Sequence, residues 1–463
     1  MQEKPLPPPD IPRPPSDTPR SPDRPPSQAS PAAQASPGRA RAPAAAEGEA
    51  AVRPGAPEVP REVLRPALEL YLDAHAHPEL SGAERRTADL LAARLEASGC
   101  EVTRGVGGGH GLVGVLRNGP GPTVMLRTEL DALPVTERTG LAYASTVPGV
   151  MHACGHDLHL AAVAGAVAEL ARTRSAWRGT VLVAGQPAEE TLTGARQMLA
   201  DGLYERFGTP HAVLAQHTSP APAGTLAHAA EFRTPLMAAG AAVDVTLYGR
   251  GGHAGTPHLT VDPVLTAAAT VLRLQSVVSR ETAPDEQAVL TVGGLRAGGP
   301  GNVIPETAEL SLCVRASSER AVDRMTDAAL RIVRAECAAS GCPRDPDFTV
   351  SARSPALLTD AAATAAVRRA HEELFGPQRV GDSGRLNATE DFAWFGTEGV
   401  ATVYWLLGVT GVRQWRGARD GGPPVPPNHA PEFAPDVRTA LPTGIMAMAS
   451  AARRLLDPEG SVS

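Results

Sequence analysis

The chain has 463 residues, more than one ordinary hydrophobic core accommodates, so more than one domain is expected. Its formal charge of -7, with no basic block, excludes an electrostatic case for nucleic acid. Five scattered cysteines argue against a disulfide framework, no long apolar run suggests a membrane span, and the N-terminus lacks the apolar core of a signal peptide, so a reducing, cytoplasmic location is expected.

Residues 1–58 are rich in proline and almost free of aliphatic side chains, as in Pro5-Leu6-Pro7-Pro8-Pro9 and Arg24-Pro25-Pro26-Ser27. Such a segment cannot bury enough apolar surface to offset chain entropy, so a disordered tail of polyproline character is expected. Helical spacing begins at Glu62 through Leu64, Leu68 and Tyr71, and resumes after Ser81 through Leu90, Leu91 and Leu95. Apolar runs at 111–116 and 123–128 read as strands buried on both faces. A helix at 161–170, a strand at 180–184, a helix at 194–200 and a strand at 212–215 then alternate, which indicates an α/β sheet flanked by helices. Glu129 and Asp131, the stretch Gln186-Pro187-Ala188-Glu189-Glu190, and His217 each fall just past the carboxyl end of a strand, where open α/β sheets bind ligands.

The texture changes near Leu236. A strand at 238–248, a helix at 262–279, strands at 288–295 and 307–315, a helix at 320–340 and a short strand at 348–351 give the β-α-β-β-α-β order of a ferredoxin-like unit. The α/β pattern resumes with a helix at 361–374, a strand at 401–407, a loop at 423–429 and a closing helix at 435–456. The expected organisation is a tail over 1–58, a mixed α/β catalytic domain in two parts, 59–235 and 353–457, and an inserted α+β domain over 236–352.

The stretch His152-Ala153-Cys154-Gly155-His156-Asp157-Leu158-His159 carries soft donors at the density a borderline transition metal requires. Cys154 and His156 at i, i+2 can converge from a loop, although alone the pair reads equally well as a buried thiol and a turn imidazole. Their convergence with Glu190 and His217 at neighbouring strand ends favours a metal site. Glu189 and Glu190 repel each other unless a cation stands nearby, and alone they read as a solvated pair at the start of the next helix. Beside histidine and cysteine donors, one carboxylate can bind a metal while the other takes a proton from water.

Six segments carry a resemblance. Leu126-Arg127-Thr128-Glu129-Leu130-Asp131-Ala132-Leu133-Pro134, Met151-His152-Ala153-Cys154-Gly155-His156-Asp157, Gln186-Pro187-Ala188-Glu189-Glu190, Gly249-Arg250-Gly251-Gly252-His253-Ala254, Asn302-Val303-Ile304-Pro305-Glu306 and Asn428-His429-Ala430-Pro431-Glu432-Phe433 follow one another in the order typical of the M20 peptidase and amidohydrolase family. Over roughly 62–455 the chain resembles the branch of N-acyl-amino-acid amidohydrolases that includes hippurate and auxin-conjugate hydrolases.

The resemblance implies two divalent ions, with Cys154 bridging them, His156, Glu190, His217 and His429 as terminal ligands, and Glu189 as general base. Zinc suits such donors, as do manganese, cobalt or nickel. Glu129 and Asp131 read either as supports behind the ligands or as a strand-end turn; His152, Asp157 and His159 read either as supports or as helix-start residues, with Asp157 the natural charge at a helix N-terminus. The resemblance further implies that His253 polarises the scissile carbonyl, often across a dimer interface; alone it reads as an exposed loop histidine. Asn302 and Arg315 resemble groups that hold the carboxylate of the amino-acid half of a substrate, and Arg315 also reads as an ordinary strand-end charge. Thr389 in Thr389-Glu390-Asp391-Phe392 is expected to cap a helix. The implied activity is hydrolysis of an N-acyl amino acid or a similar small amide, without membrane or nucleic-acid partners and with the inserted domain as a homodimer surface. The alternatives are a metallo-exopeptidase or dipeptidase acting on short peptides, and a catalytically silent metal- or peptide-binding protein.

Overall fold

Six strands precede the inserted segment in the computed structural model, which describes residues 58–396 and 399–457; the expected tail therefore lies outside the described residues except for Glu58. They are β1 (Glu101–Val106), β2 (Gly111–Asn118), β3 (Thr123–Glu129), β4 (Gly179–Gln186), β5 (Ala212–Pro222) and β6 (Leu226–Ala229). The inserted segment holds β7 (Ala239–Tyr248), β8 (Gly252–His253), β9 (Ala288–Ala297), β10 (Val303–Ile304), β11 (Thr307–Ala316) and β12 (Asp347–Ser354). After it come β13 (Val380–Ser383) and β14 (Ala401–Thr410).

The large sheet has the order β1-β2-β4-β3-β5-β14-β6-β13. Its centre, β4-β3-β5-β14, is parallel. Antiparallel pairings join β1 to β2, β2 to β4 and β14 to β6, so the sheet is mixed. The apolar runs expected to be buried on both faces are so: β2 is buried from Gly111 through Leu116, and β3 from Val124 through Glu129. The helix His156–Arg172 is buried almost all round and packs against the helices Arg61–Ala76 and Val437–Leu456. Gly165 permits the second contact, because a Cβ there would meet Ile445 Cδ1 at 2.7 Å. This packing fixes the first turn of the central helix, where His156 stands.

His217 departs from the expectation in an informative way. It lies inside β5 instead of past its end, because β5 continues to Pro222. β3 stops pairing with β5 at Leu126 and Leu214, whereas β14 follows it further, with Leu406 opposite His217. The gap left by β3 opens the carboxyl edge of the sheet at His217. The long parallel partner on the other side keeps the residue in strand geometry.

In the inserted segment the four-stranded sheet has the order β12-β7-β11-β9, antiparallel throughout. Its helices are Pro263–Glu281, capped by Asp262 accepting from Val264 N, and Glu319–Ala339, capped by Ser318 accepting from Ala321 N. Val243, Val245, Leu274, Leu310, Ile332 and Val333 belong to a core separate from that of the large sheet. The β-α-β-β-α-β order agrees with the ferredoxin-like expectation. A short pairing of β8 with β10 also sets His253 opposite Val303. The segment leaves and rejoins the large unit at one seam: Leu236 N donates to Leu357 O (2.8 Å), Leu357 N to Met237 O (3.1 Å), and Leu386 N to Leu236 O (2.7 Å).

A buried histidine pair links β6 to the second half of the chain. His228 Nε2 and His371 Nδ1 are 3.0 Å apart, and His371 Nε2 donates to Ala447 O at 3.0 Å. Burial pushes His371 down to about 4. Burial, then His371 and then Arg368, holds His228 well below the ordinary value. Arg368 is itself paired with Glu372 and Asp382. Below the unfolded value of about 6.5 the unfolded chain takes up protons that the folded pair refuses, so stability falls as pH falls. The slope reaches about 1.4 kcal/mol per pH unit for each imidazole. Urea midpoints at pH 7.5 and 5.0 should differ more in the parent protein than in a His228→Gln, His371→Gln variant; equal differences would show that the pair does not contribute to acid sensitivity.

Candidate metal centre and hydrolytic site

Three loops meet at the carboxyl edge of the large sheet. Cys154 comes from the turn before the central helix and His156 from that helix's first residue, not from the expected loop; Glu189 and Glu190 follow β4, and His429 reaches in from a rim loop. Cys154 Sγ is 3.4 Å from His217 Nε2. Glu190 Oε1 lies 3.8 Å from His156 Nε2 and 3.6 Å from His429 Nε2. Glu189 Oε2 stands 3.8 Å from His156 Nε2. The donor atoms fall into several overlapping groups, each within 4.8 Å: Cys154, His156 and His217, then Cys154, Glu190 and His429, share the thiol, while His156, Glu189 and Glu190 form another and Glu129 groups with His156 and His159.

The backbone pays a visible strain at this edge. Ala188 (φ 52°), Leu192 (φ 55°) and His429 (φ 69°) are the non-glycine residues in the left-handed region among those described, and they bracket Glu189-Glu190 and include a donor. Each such residue costs of order 1–3 kcal/mol and persists only where its surroundings hold it. At Gly155 (φ +82°) even the space is closed, since a Cβ would lie 2.8 Å from Thr218 Cγ2 and Oγ1.

Hydrogen bonds to the far sides of the rings aim the donors inward. His156 Nδ1 donates to Asp131 O (2.9 Å) and His217 Nδ1 to Thr218 O (2.8 Å), which leaves each Nε2 as the lone-pair atom facing the cluster. Asp131 also accepts from Ser81 Oγ (2.7 Å) and from Glu190 N (3.0 Å), so it orients a histidine and a glutamate together. Thr218 joins the loops. Its N–H donates to His159 Nε2 (2.8 Å), its hydroxyl donates to Cys154 O (2.6 Å), and it accepts from Asn428 Nδ2 (3.0 Å). His429 N donates to Ala153 O at 2.8 Å and completes the contact of the rim loop with the cysteine loop.

Behind the donors lies a fully buried ionic network that the sequence reading missed. Arg127 donates to Glu129, to Glu390 (2.8 Å), to Asp391 (3.1 Å) and to Gln186 Oε1 (2.8 Å). Glu129 accepts from His159 Nδ1 at 3.0 Å, and Tyr404 hydroxyl donates to Glu390 at 3.0 Å. Glu129, the last residue of β3, is thus paired with Arg127 and His159 behind the thiol and the two glutamates. Thr389 corrects another expectation: its hydroxyl has no hydrogen-bond partner among the described residues, so it caps nothing. It sits against Gly240, and the buried carboxylates are the two residues after it. Pairing over such sequence distance leaves no local periodicity, although two acids inside an otherwise apolar stretch, Glu390 and Asp391, were a signal.

The cluster suits cations. His156 Nε2, Glu190 Oε1 and Asp131 Oδ1 are buried without a hydrogen-bond partner among the described residues. Burial, then the charge of Glu390 and of Glu190, holds the Glu189 carboxyl well above the ordinary range. Glu190 is pushed up to about 7, chiefly by burial. Burial pushes His217 down to about 3, keeping its ring neutral. Crowded carboxylates, imidazoles and a thiol are donors for divalent metal ions.

The remaining expected residues lie apart. His253 is exposed, with Nδ1 accepting from Gly255 N at 2.9 Å, and Ala254 N donates to Asn302 O at 3.1 Å, so those two share the β8–β10 edge, away from the cluster's hydrogen bonds. Arg315 Nη1 donates to Asn387 O at 2.7 Å, and its charge acts on His429. His152 is buried with neither ring nitrogen paired among the described residues. Asp157 is held 2.6 Å from His75 Nδ1.

Residues 125–420 match the profile of peptidase family M20/M25/M40. The chain is 33% identical over 355 residues to N-acetylcysteine deacetylase of Bacillus subtilis (strain 168), covering 75% of this chain and 89% of that protein. It is 34% identical over 323 residues to hippurate hydrolase of Campylobacter jejuni, covering 69% and 82%. Among solved structures it is similar to a dinuclear metal-binding peptidase of the M20 family from Bacillus subtilis, with TM-score 0.66 and 27% identity over 86% of this chain and 99% of that one.

Proposed function

Because the chain belongs to peptidase family M20/M25/M40, a family of hydrolases acting on amides, we propose that it cleaves N-acyl amino acids to a carboxylic acid and an amino acid. The observation that carries this reading is the convergence of Cys154, His156, Glu190, His217 and His429 around Glu189 at one sheet edge. Two divalent ions would be held by Cys154, His156, Glu190, His217 and His429, the thiol being a donor available to both of the groups that share it; zinc suits sulfur and imidazole, and manganese, cobalt or nickel are the other candidates. When bound, such ions supply Lewis acidity and bring water ionisation toward neutral pH.

Glu189 does the proton work. Its carboxylate takes a proton from the attacking water as the water oxygen bonds to the amide carbon, and returns it to the nitrogen as the carbon–nitrogen bond breaks. Asp131 and Thr218 hold the donor rings in one tautomer while this happens. Burial of Arg127 with Glu129, Glu390 and Asp391 keeps the floor of the site rigid, since breaking such a network costs about 3–5 kcal/mol.

The domain partition at 236–352 is part of the same proposal, supported by the separate apolar core of that segment. So is a homodimer through it, in which His253 of one protomer serves the site of the other. Val303, opposite His253, is 51% exposed, and Leu259, Leu265 and Leu272 in the same segment are 63%, 70% and 77% exposed, large apolar side chains that a partner surface would cover. Leu272→Glu should yield a monomer with little hydrolysis and unchanged metal content, read by light scattering and metal analysis; a fully active monomer would remove the dimer from the mechanism. No described helix is long and apolar enough to cross a membrane, and the free cysteines suit a reducing compartment such as the cytoplasm.

The reading as a whole is tested by assaying metal-reconstituted protein against N-acetyl, N-benzoyl and peptidyl amino acids. Turnover of the first two classes is expected. Turnover confined to peptides would make it an exopeptidase, and none at all would make it a binding protein.

A further inference from the structure

Next to the seam, between β9, β11 and the segment before Thr389, lies a cavity of about 230 Å³ whose lining includes Glu286, Gln287, Val289, Arg315, Arg385 and Asn387. Two guanidiniums share it, and neither has an acidic partner among the described residues. Arg315 is engaged only by Asn387 O, and Arg385 makes no hydrogen bond there, with its Nε buried and unpaired. The one carboxylate of the lining, Glu286, is already paired with Arg324. Two cations in a confined space repel each other and carry a desolvation cost that an anion relieves. The planar fork of arginine matches a carboxylate with two parallel hydrogen bonds.

The cavity is tied to the catalytic edge. Arg315 stands near enough for its charge to act on His429. Arg385 precedes Leu386, whose N–H donates to Leu236 O, and Ala238 N donates to Ala388 O at 3.0 Å, so the seam itself positions the second guanidinium. Arg315 and Arg385 line the same cavity, so a ligand with two carboxylates on one short carbon chain offers one to each.

We propose that Arg315 and Arg385 form a two-carboxylate site, so that the preferred substrates are N-acyl derivatives of acidic amino acids, with the α-carboxylate on Arg315 and the side-chain carboxylate on Arg385. This specificity rests on the amidase reading, while the site itself can be tested without turnover. Calorimetry on metal-loaded Glu189→Gln protein compares N-acetylglutamate with N-acetylglutamine, which differ only in the side-chain charge. N-acetylglutamate should bind at least about tenfold more tightly, as expected of a charge-assisted pair. Arg385→Met should bring that ratio to about one, and Arg385→Lys should restore part of it, with thermal midpoints confirming that each variant folds. Equal binding of the two ligands, a ratio that survives Arg385→Met, or no binding of either would overturn the proposal. Hydrolysis by the parent protein separates the two readings. Turnover without preference for acidic substrates sinks this inference alone, and discrimination in binding without turnover sinks the amidase reading alone.

Discussion

Glu189→Gln should lower kcat for N-acyl amino acid hydrolysis by roughly 10²- to 10⁴-fold, the usual contribution of a positioned general base. The substitution keeps the volume of a side chain that is only 6% exposed and so leaves the packing alone. It removes the proton acceptor while Cys154, His156, His217, Glu190 and His429 stay as donors; Glu189 also groups with His156 and Glu190, and the glutamine amide oxygen can still accept there. Metal content and KM should therefore change little while kcat collapses. Steady-state kinetics with metal analysis on the same preparation decides it: a variant that turns over at the parent rate shows that the proton is carried by another group.

Cys154→Ala should act on metal occupancy first and on rate in consequence. The thiol is shared by the group with His156 and His217 and the group with Glu190 and His429, so its loss weakens both, where His217 and His429 each belong to only one of the pair. Stoichiometry should fall from about two ions per chain to one or fewer, and kcat by roughly 100-fold or more, since even the loss of a supporting partner costs 10–100-fold. The fold should survive, because the contacts that seat this loop use the Cys154 carbonyl, which accepts from Thr218 Oγ1 at 2.6 Å and Asn428 Nδ2 at 3.3 Å. Thermal melting of metal-free protein tests that, and two ions retained at full occupancy would end the shared-donor assignment.

Much of the fold was legible because its strands are long apolar runs and its helices keep their period, as at 123–128 and in the β-α-β-β-α-β segment. Five strands were not expected from the sequence: β6 and β13 have four residues each, β8 and β10 two, and β1 is a largely exposed strand at the sheet's end with no apolar run. His217 was right in place and wrong in setting, since the length of β5 is set by β14, a partner almost two hundred residues away. The donors were legible as residue types at strand ends. Their supports were not, because Thr218 and Asn428 are ordinary polar residues until the loops meet. Arg127 likewise reads as an interior strand charge until Glu390 and Asp391 arrive beside it. His253 and Asn302 stand together on an exposed edge, a placement that a single chain's sequence does not distinguish from a site.

The seam at Leu236, Met237 and Leu357 has a consequence for how such a protein can be remade. Because the departing and returning strands are hydrogen-bonded to each other, the ends of the inserted segment are already adjacent, and exchanging it for another of different length costs the large sheet almost no loop-closure entropy. Substrate range can then diversify by cassette replacement, with the hydrolytic edge inherited whole. Arg385, which stays behind on the recipient side of the graft, would be the residue that decides whether a new cassette is compatible with the old ligand.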